Sequence, residues 1–313
     1  MNPKVVQQVN REIDSLFIIH LSRALKKLDE PWMRKQTGRP PHSAKVVSFC
    51  CMMKVATGRT YDEIESYVQM IAADIKQWFH VHRVPGHSVI HRGMDKIRMA
   101  FIRKVMRLIL CYYRKKGMSI AVDSSGFSTS HSSKWFDIRV QKENTRKDYL
   151  KLHIAVDVNT GIIHHFTITS GNKHDSPEFK RLMNYLPSVS EVMADKAYPS
   201  RDNCQMVADK NGEAYLHFRE NANAASKGKP AWKISYHKYM EHEEEWMETY
   251  HKREIVEAVF SSIKQRWNEF ISSNRGWLRW RELALKVLIY NTKQMLYCQR
   301  AEALGEDLWT QIK

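Results

Sequence analysis

The sequence predicts an α+β chain, with a helical first third followed by a mixed-sheet domain that ends in helices. Three observations predict it. Residues 1–117 carry apolar side chains at helical spacing between Pro and Gly breaks. After Gly117 short apolar runs of strand length alternate with helical segments. Charge divides at the same point. The chain of 313 residues has 50 Lys+Arg against 34 Asp+Glu, a formal net charge of +16. Residues 1–117 hold 22 of those cations and 9 of the acids, net +13, which leaves +3 for the rest.

In order, Val5–Leu28 places Val6, Val9, Ile13, Leu16, Phe17, Leu21, Ala24 and Leu28 on one helical face. Pro31 and Gly38-Arg39-Pro40-Pro41 mark a linker. Ser43–Ala56 is an apolar helix stopped by Gly58. Thr60 with Glu63 three residues later has capping-box spacing and starts a helix over Tyr61–Met70. A short helix near Asp74–Phe79 follows, then a break at Pro85-Gly86. Ser88 is placed to cap a long helix from Val89 to about Tyr113. Short helices with scattered Arg and Lys suit a helix-turn-helix-like unit, although any small helical bundle has the same pattern.

Beyond Gly117, Ser119–Val122 is a short strand ending in Asp123. Leu150–Val156 alternates as a strand, Asn159-Thr160-Gly161 turns, and Ile162–Thr169 returns as its hairpin partner. Ser176–Tyr185 reads as a helix, Glu191–Ala194 as a strand ending at Asp195, Ser200–Lys210 as a helix and Ala214–Phe218 as a last strand. Residues 219–248 break the pattern with Gly228, Pro230 and an acidic cluster, and read as a small insertion. Helical periodicity resumes over Thr249–Trp267 and from Leu278 to about Ala303.

Composition removes several classes. A hydrophobic fraction of 43% supports a real core and excludes disorder. No apolar run is long enough to span a membrane, and the first residues lack the apolar stretch of a secretory signal. The five cysteines are scattered without C-x-x-C, so they read as small buried residues in a reducing cytosol. Neither a P-loop nor a G-x-S-x-G elbow is present. The basic first third points to a polyanion, with nucleic acid the leading candidate and a merely solvated basic surface the alternative.

Three acids stand where chemistry is expected. Asp123 and Asp195 each follow an apolar strand, where ligands meet an α/β sheet. Glu257 lies among apolar neighbours in Ile255-Val256-Glu257-Ala258-Val259-Phe260, a costly place for an uncompensated charge. Three hard oxygen ligands suit Mg²⁺. Tyr250, Arg253, Glu257 and Lys264 are spaced by three, four and seven, which keeps them on one helical stripe. An acid flanked by Arg and Lys suits a phosphate backbone. An ordinary Arg253–Glu257 ion pair at i, i+4 explains part of the same pattern.

That spacing resembles the third-carboxylate signature of DDE-class insertion-sequence transposases, in the branch with a Tyr-Arg-Glu-Lys helix. Ala121-Val122-Asp123-Ser124 and Ala194-Asp195-Lys196-Ala197-Tyr198 resemble the family's first and second acidic motifs, and Gly171-Asn172-Lys173-His174-Asp175 resembles a segment between them. Gly38-Arg39-Pro40-Pro41 resembles the entry to its helical DNA-binding region, so the resemblance covers about residues 38–297. It implies a ribonuclease H-like catalytic domain with a small insertion. It further implies that Asp123, Asp195 and Glu257 bind two Mg²⁺ ions, with Mn²⁺ as a substitute. Arg253, Lys264, Tyr250 and Arg39 would contact DNA. The implied activity is metal-dependent cleavage at the terminal inverted repeats of an insertion sequence, followed by strand transfer. Its partners would be double-stranded element ends and target DNA, bound by a homodimer or higher oligomer. Its location would be cytoplasmic and nucleoid-associated in a prokaryote, without a membrane. A catalytically silent DNA-binding derivative is the alternative. The expected domains are 1–117, 118–300 with the insertion at 219–248, and a tail at 301–313.

Other candidates read as structural. Asp157 suits a hairpin turn, Asp175 a helix cap or a supporting group, and His80, His82, His87 and His91 a polar surface rather than a zinc site. Trp277 and Trp280, with Arg275, Arg279 and Arg281, read as core aromatics with snorkelling arginines.

Overall fold

The computed structural model describes residues 1–33, 40–113, 115–129 and 149–309. It divides into two compact units, one of residues 1–111 with 272–313, the other of residues 112–271.

The first unit begins with α1 (Pro3–Lys27), which buries Val5, Val9, Phe17, Leu21 and Leu25 along one stripe. The Asn2 side chain caps it by accepting from the Lys4 amide at 3.0 Å. α2 (Ala44–Thr57) is buried nearly all round, and Gly58 ends it at φ +68°, a conformation that costs glycine little. α3 (Tyr61–Met70) starts with the expected capping box: Thr60 Oγ1 accepts from the Glu63 amide at 3.3 Å, and Glu63 accepts from the Thr60 amide at 2.8 Å. α4 (Ala72–Phe79) follows directly.

The long helix expected from Val89 to Tyr113 is instead two, α5 (His87–Met94) and α6 (Met99–Ile109), with a 3₁₀ turn over Cys111–Tyr113. Ser88 lies inside α5, whose N-cap position is Gly86. The break is held by groups distant in sequence. Arg281 donates to the carbonyls of Met94 and Asp95 at 3.0 and 2.6 Å, and Trp277 Nε1 donates to the Asp95 carboxylate at 2.9 Å. These contacts place the Arg/Trp cluster at a turn rather than in the core, and Trp277 is exposed.

In the second unit a five-stranded sheet has the order β3-β2-β1-β4-β5. Its strands are β1 (Met118–Ser128), β2 (Tyr149–Asp157), β3 (Ile163–Ser170), β4 (Val189–Ala194) and β5 (Glu213–Leu216). β1–β2 and β2–β3 pair antiparallel, while β4 and β5 join in parallel. Together with the preceding helices this is the expected α+β architecture with a ribonuclease H-like sheet. α7 (Ser176–Asn184) and α8 (Arg201–Ala208) bury Phe179, Leu182, Met183, Cys204 and Val207 against Ile120, Val122, Val192 and Ala194.

Residues 219–248, read from sequence as an insertion or loop with its own small structure, carry helices. They contain α9 (Pro230–Glu241) and most of α10 (Glu243–His251), both packed on β5. Glu243, Glu244 and Glu245 occupy the first turn of α10, where the helix dipole favours acids. Trp232 and Trp246 are buried, so these helices cover an edge strand that would otherwise expose unpaired backbone. A 3₁₀ turn (Lys252–Glu254) leads into α11 (Ile255–Trp267), which packs on β1.

The last helix, α12 (Gly276–Leu304), belongs to the first unit. It packs along α1: Tyr297 Oη donates to Asn10 at 2.8 Å and Lys293 pairs with Asp14 at 3.0 Å. Its run Leu283–Tyr290 is buried on every side, which needs cover from several helices. Among the described residues no helix is long and apolar enough to cross a membrane.

Candidate active site

Asp123 does not end its strand. β1 runs on to Ser128, so the carboxylate projects from the middle of the central strand. Strand alternation turns Ile120 and Val122 toward the α7/α8 core and Asp123 to the other side, where α11 lies against β1. Asp195 directly follows β4. The parallel register Val122↔Ala194 therefore makes Asp123 and Asp195 neighbours, one residue beyond the last paired position. Asp195 accepts from the Ala197 amide at 2.9 Å, which fixes its carboxylate at the strand end.

Glu257 enters from the first turn of α11. Its side chain is 65% exposed, so its apolar neighbours in sequence do not bury it. The four signature residues do not share one helix: Tyr250 ends in α10, Arg253 sits in the 3₁₀ turn, and Glu257 and Lys264 lie on α11. The helix-breaking turn still brings Arg253 into contact with two of the three acids. Its Nη1 donates to Asp123 Oδ2 at 2.8 Å and its Nη2 to Glu257 Oε1 at 3.2 Å. The i, i+4 ion pair is thus real, and only half of what Arg253 does. The side chains of Arg253 and Asp123 are 17% and 18% exposed.

Burial is the main reason that the Asp123 carboxyl is pushed up to about 6. The neighbouring charges of Asp195 and Glu257 push the same way, while the Ser124 amide, donating at 2.7 Å, and Arg253 oppose them. Burial also works against the Arg253 charge, but Tyr250 and the three acids more than offset it. Asp195 and Glu257 thus both act on the Asp123 carboxyl.

Aromatic packing sets the turn that carries Arg253. Trp246 is buried and stacks on Tyr250 with centroids 5.2 Å apart and planes at 17°. His217 meets Tyr250 edge-on at 5.3 Å, and the Arg253 guanidinium lies 5.7 Å from the Tyr250 ring centroid. Lys264 lies over the Phe127 ring at 5.4 Å. Trp246 was missed in the sequence because it sits in the insertion; its spacing of four from Tyr250 was the available signal. Tyr198, also unassigned, is buried beside Phe179. Burial first, then Asp123, Asp175 and Asp195, hold its hydroxyl well above the usual tyrosine value.

The remaining candidates fall out as follows. Asp175 stands at the N-cap position of α7 without a side-chain cap bond and instead pairs with Lys151 at 2.6 Å. Asp157 accepts from Thr160 Oγ1 at 2.6 Å, as a turn residue does. His87 pairs with Glu65 at 2.5 Å. Arg39 lies outside the described residues. Among the described residues no three His, Cys, Asp or Glu side chains are gathered closely enough to hold a metal ion as they stand.

The sheet domain carries acids on its central strand, after the adjacent parallel strand and on a following helix. A family model described as "Transposase DDE domain" matches residues 114–292, more than half of the chain, and the chain belongs to that family. Among solved structures it is similar to the piggyBac transposase synaptic complex with hairpin DNA, at 10% identity and a TM-score of 0.44 over 96% of this chain and 75% of that one. It is also similar to the Mos1 transposase paired-end complex with left transposon end, at 12% identity and a TM-score of 0.23 over 70% and 81% of the two chains. None of the curated proteins matches the chain.

Proposed function

We propose that this transposase binds the terminal inverted repeats of its own insertion sequence, cleaves the phosphodiester at each end in a Mg²⁺-dependent reaction, and joins the freed 3′ end to target DNA. One observation carries the reading. Asp123, Asp195 and Glu257 come from β1, the end of β4 and α11, and the charges of the last two act on the buried carboxyl of the first.

The donor set fits a hard divalent cation. All three groups are carboxylates, and a cation among them would relieve the repulsion and burial that raise Asp123. Glu257 is exposed enough to turn toward the other two. When bound, Mg²⁺ supplies activation of the attacking oxygen and charge neutralisation at the leaving oxygen. The protein's own groups do the rest. Asp123 and Asp195 are held in place by strand pairing and by amide hydrogen bonds, so they need little reorganisation. Lys264, above Phe127, and Arg253, beside Tyr250, are cations placed to hold phosphates near the acids. The basic residues 1–117 supply the charge for gripping the duplex. Water attacks the phosphodiester and frees a 3′ hydroxyl; that hydroxyl then attacks a target phosphodiester and displaces the target's 3′ oxygen, so no covalent protein intermediate is assigned.

Asp123→Asn, Asp195→Asn and Glu257→Gln are each expected to abolish Mg²⁺-dependent cleavage of DNA carrying the element end, while leaving gel-shift binding of that DNA intact. Cleavage retained by any one variant removes that residue from the site.

A further inference from the structure

Arg253 occupies the place where cleavage chemistry needs open carboxylate oxygens. Its guanidinium takes one oxygen of Asp123 and one of Glu257 at once, and so ties the central strand to α11. Glu257 remains 65% exposed with this bond in place. With Arg253 in place the three acids carry a local charge of −2; without it they carry −3 and regain two free oxygens. The arrangement also leaves Arg253 incompletely satisfied. The Tyr250 hydroxyl also accepts from the guanidinium, but the buried Nε is without a partner, although the group could donate five. A buried donor left unpaired costs free energy, so the bridged position is one that a better acceptor can win.

A phosphodiester is such an acceptor. Guanidinium forks match phosphate oxygens in a bidentate manner, and Arg253 sits on a short 3₁₀ turn rather than within a helix. The stacked Trp246–Tyr250 pair anchors the start of that turn.

We infer that Arg253 is an internal counter-ion that keeps Asp123 and Glu257 paired in the DNA-free chain, and that a DNA phosphate withdraws it to open the site to a divalent cation. This rests on the proposed carboxylate metal site. Cation binding and DNA binding then become coupled, each favouring the other by the same factor. The coupling keeps a DNA-cutting site closed until DNA is present. It gives Arg253 a positioning role in addition to holding phosphate.

The test measures Mn²⁺ binding by electron paramagnetic resonance, which needs no turnover. It uses the full chain, the variants Arg253→Gln, Arg253→Lys and Asp123→Asn, and a duplex oligonucleotide carrying the element end. The Asp123→Asn chain supplies the background from unrelated Mn²⁺ sites and from the DNA. Without DNA, Arg253→Gln is expected to bind Mn²⁺ about tenfold or more tightly than the unaltered chain, because a like charge has left the site. Arg253→Lys keeps the charge but replaces the rigid two-armed fork that reaches Asp123 and Glu257 with a compact ammonium, and should fall between them. Adding the duplex should tighten Asp123-dependent Mn²⁺ binding in the unaltered chain and not in Arg253→Gln. Equal Mn²⁺ affinity of the unaltered, Gln and Lys chains without DNA, with Asp123-dependent binding present in all, overturns the counter-ion role and leaves the metal site standing. Absence of Asp123-dependent Mn²⁺ binding in every chain, with and without DNA, overturns the metal site itself and the counter-ion role with it. Circular dichroism melts of the three variants confirm that folded chains are compared.

Discussion

At the scale of single residues, Asp123 shows the cost of assembling acids on a sheet. Its carboxyl is raised to about 6, chiefly by burial and then by Asp195 and Glu257, against an unfolded value of about 3.9. A group raised on folding contributes stability below its unfolded value and loses it as pH rises through the folded one. The charge of Asp123 therefore destabilises the metal-free, DNA-free chain between about pH 4 and 6 and at all higher pH. Asp123→Asn is expected to stabilise that chain at neutral pH by about 1–3 kcal/mol, read as a higher thermal midpoint, and the gain should vanish near pH 4. A lower midpoint at neutral pH would mean that the bond to Arg253 outweighs burial. The residue types were legible in sequence, since two acids after apolar runs and one in a signature helix are local patterns. The bond from Arg253 to Asp123 spans 130 residues and follows no local rule.

At the scale of elements, boundaries set by local chemistry agree with the sequence and those set by packing do not. The capping box at Thr60 and the left-handed Gly58 are both where the residues place them. The division between α5 and α6 was not legible, because 89–113 is helical in period and Arg281 and Trp277 hold the break from far along the chain. The α2–α5 contact depends on a single missing side chain. A Cβ on Gly93 would collide with Val47 Cγ1 and press on Cys51 Sγ at 3.3 Å. Gly93→Ala is expected to destabilise the first unit by about 1–3 kcal/mol in urea titration, the usual cost of overpacking. Adding Val47→Ala should recover part of that loss. Equal loss in the double variant would show that the close approach is not the cause.

At the scale of the whole molecule, the first unit is closed by both ends of the chain. α12 lies along α1, and the Lys4–Glu306 pair at 3.0 Å and the bond from the Asn2 amide to the Leu308 carbonyl at 2.9 Å bring the ends together. Residues 1–111 alone should therefore lack a closed core. We expect them to show no cooperative melt and to bind a hydrophobic dye, whereas residues 1–111 joined by a flexible linker to 272–313 should melt cooperatively. A cooperative melt of 1–111 alone would make α12 an accessory to that core.

By itself the sequence determined the α+β class, the succession of strands and helices along the chain, the helical first third with its positive charge, and the three acids. Each follows from period, capping and composition, which act within a few residues. Tertiary structure decided what those properties cannot reach. It carried β1 past Asp123, made two packed helices of the insertion, and assigned the last helix to the first unit. It also placed Arg253 between Asp123 and Glu257. The physical reason is the same throughout: strand length, helix placement and ion pairing depend on which distant surfaces are buried together, and a local pattern does not record its partners.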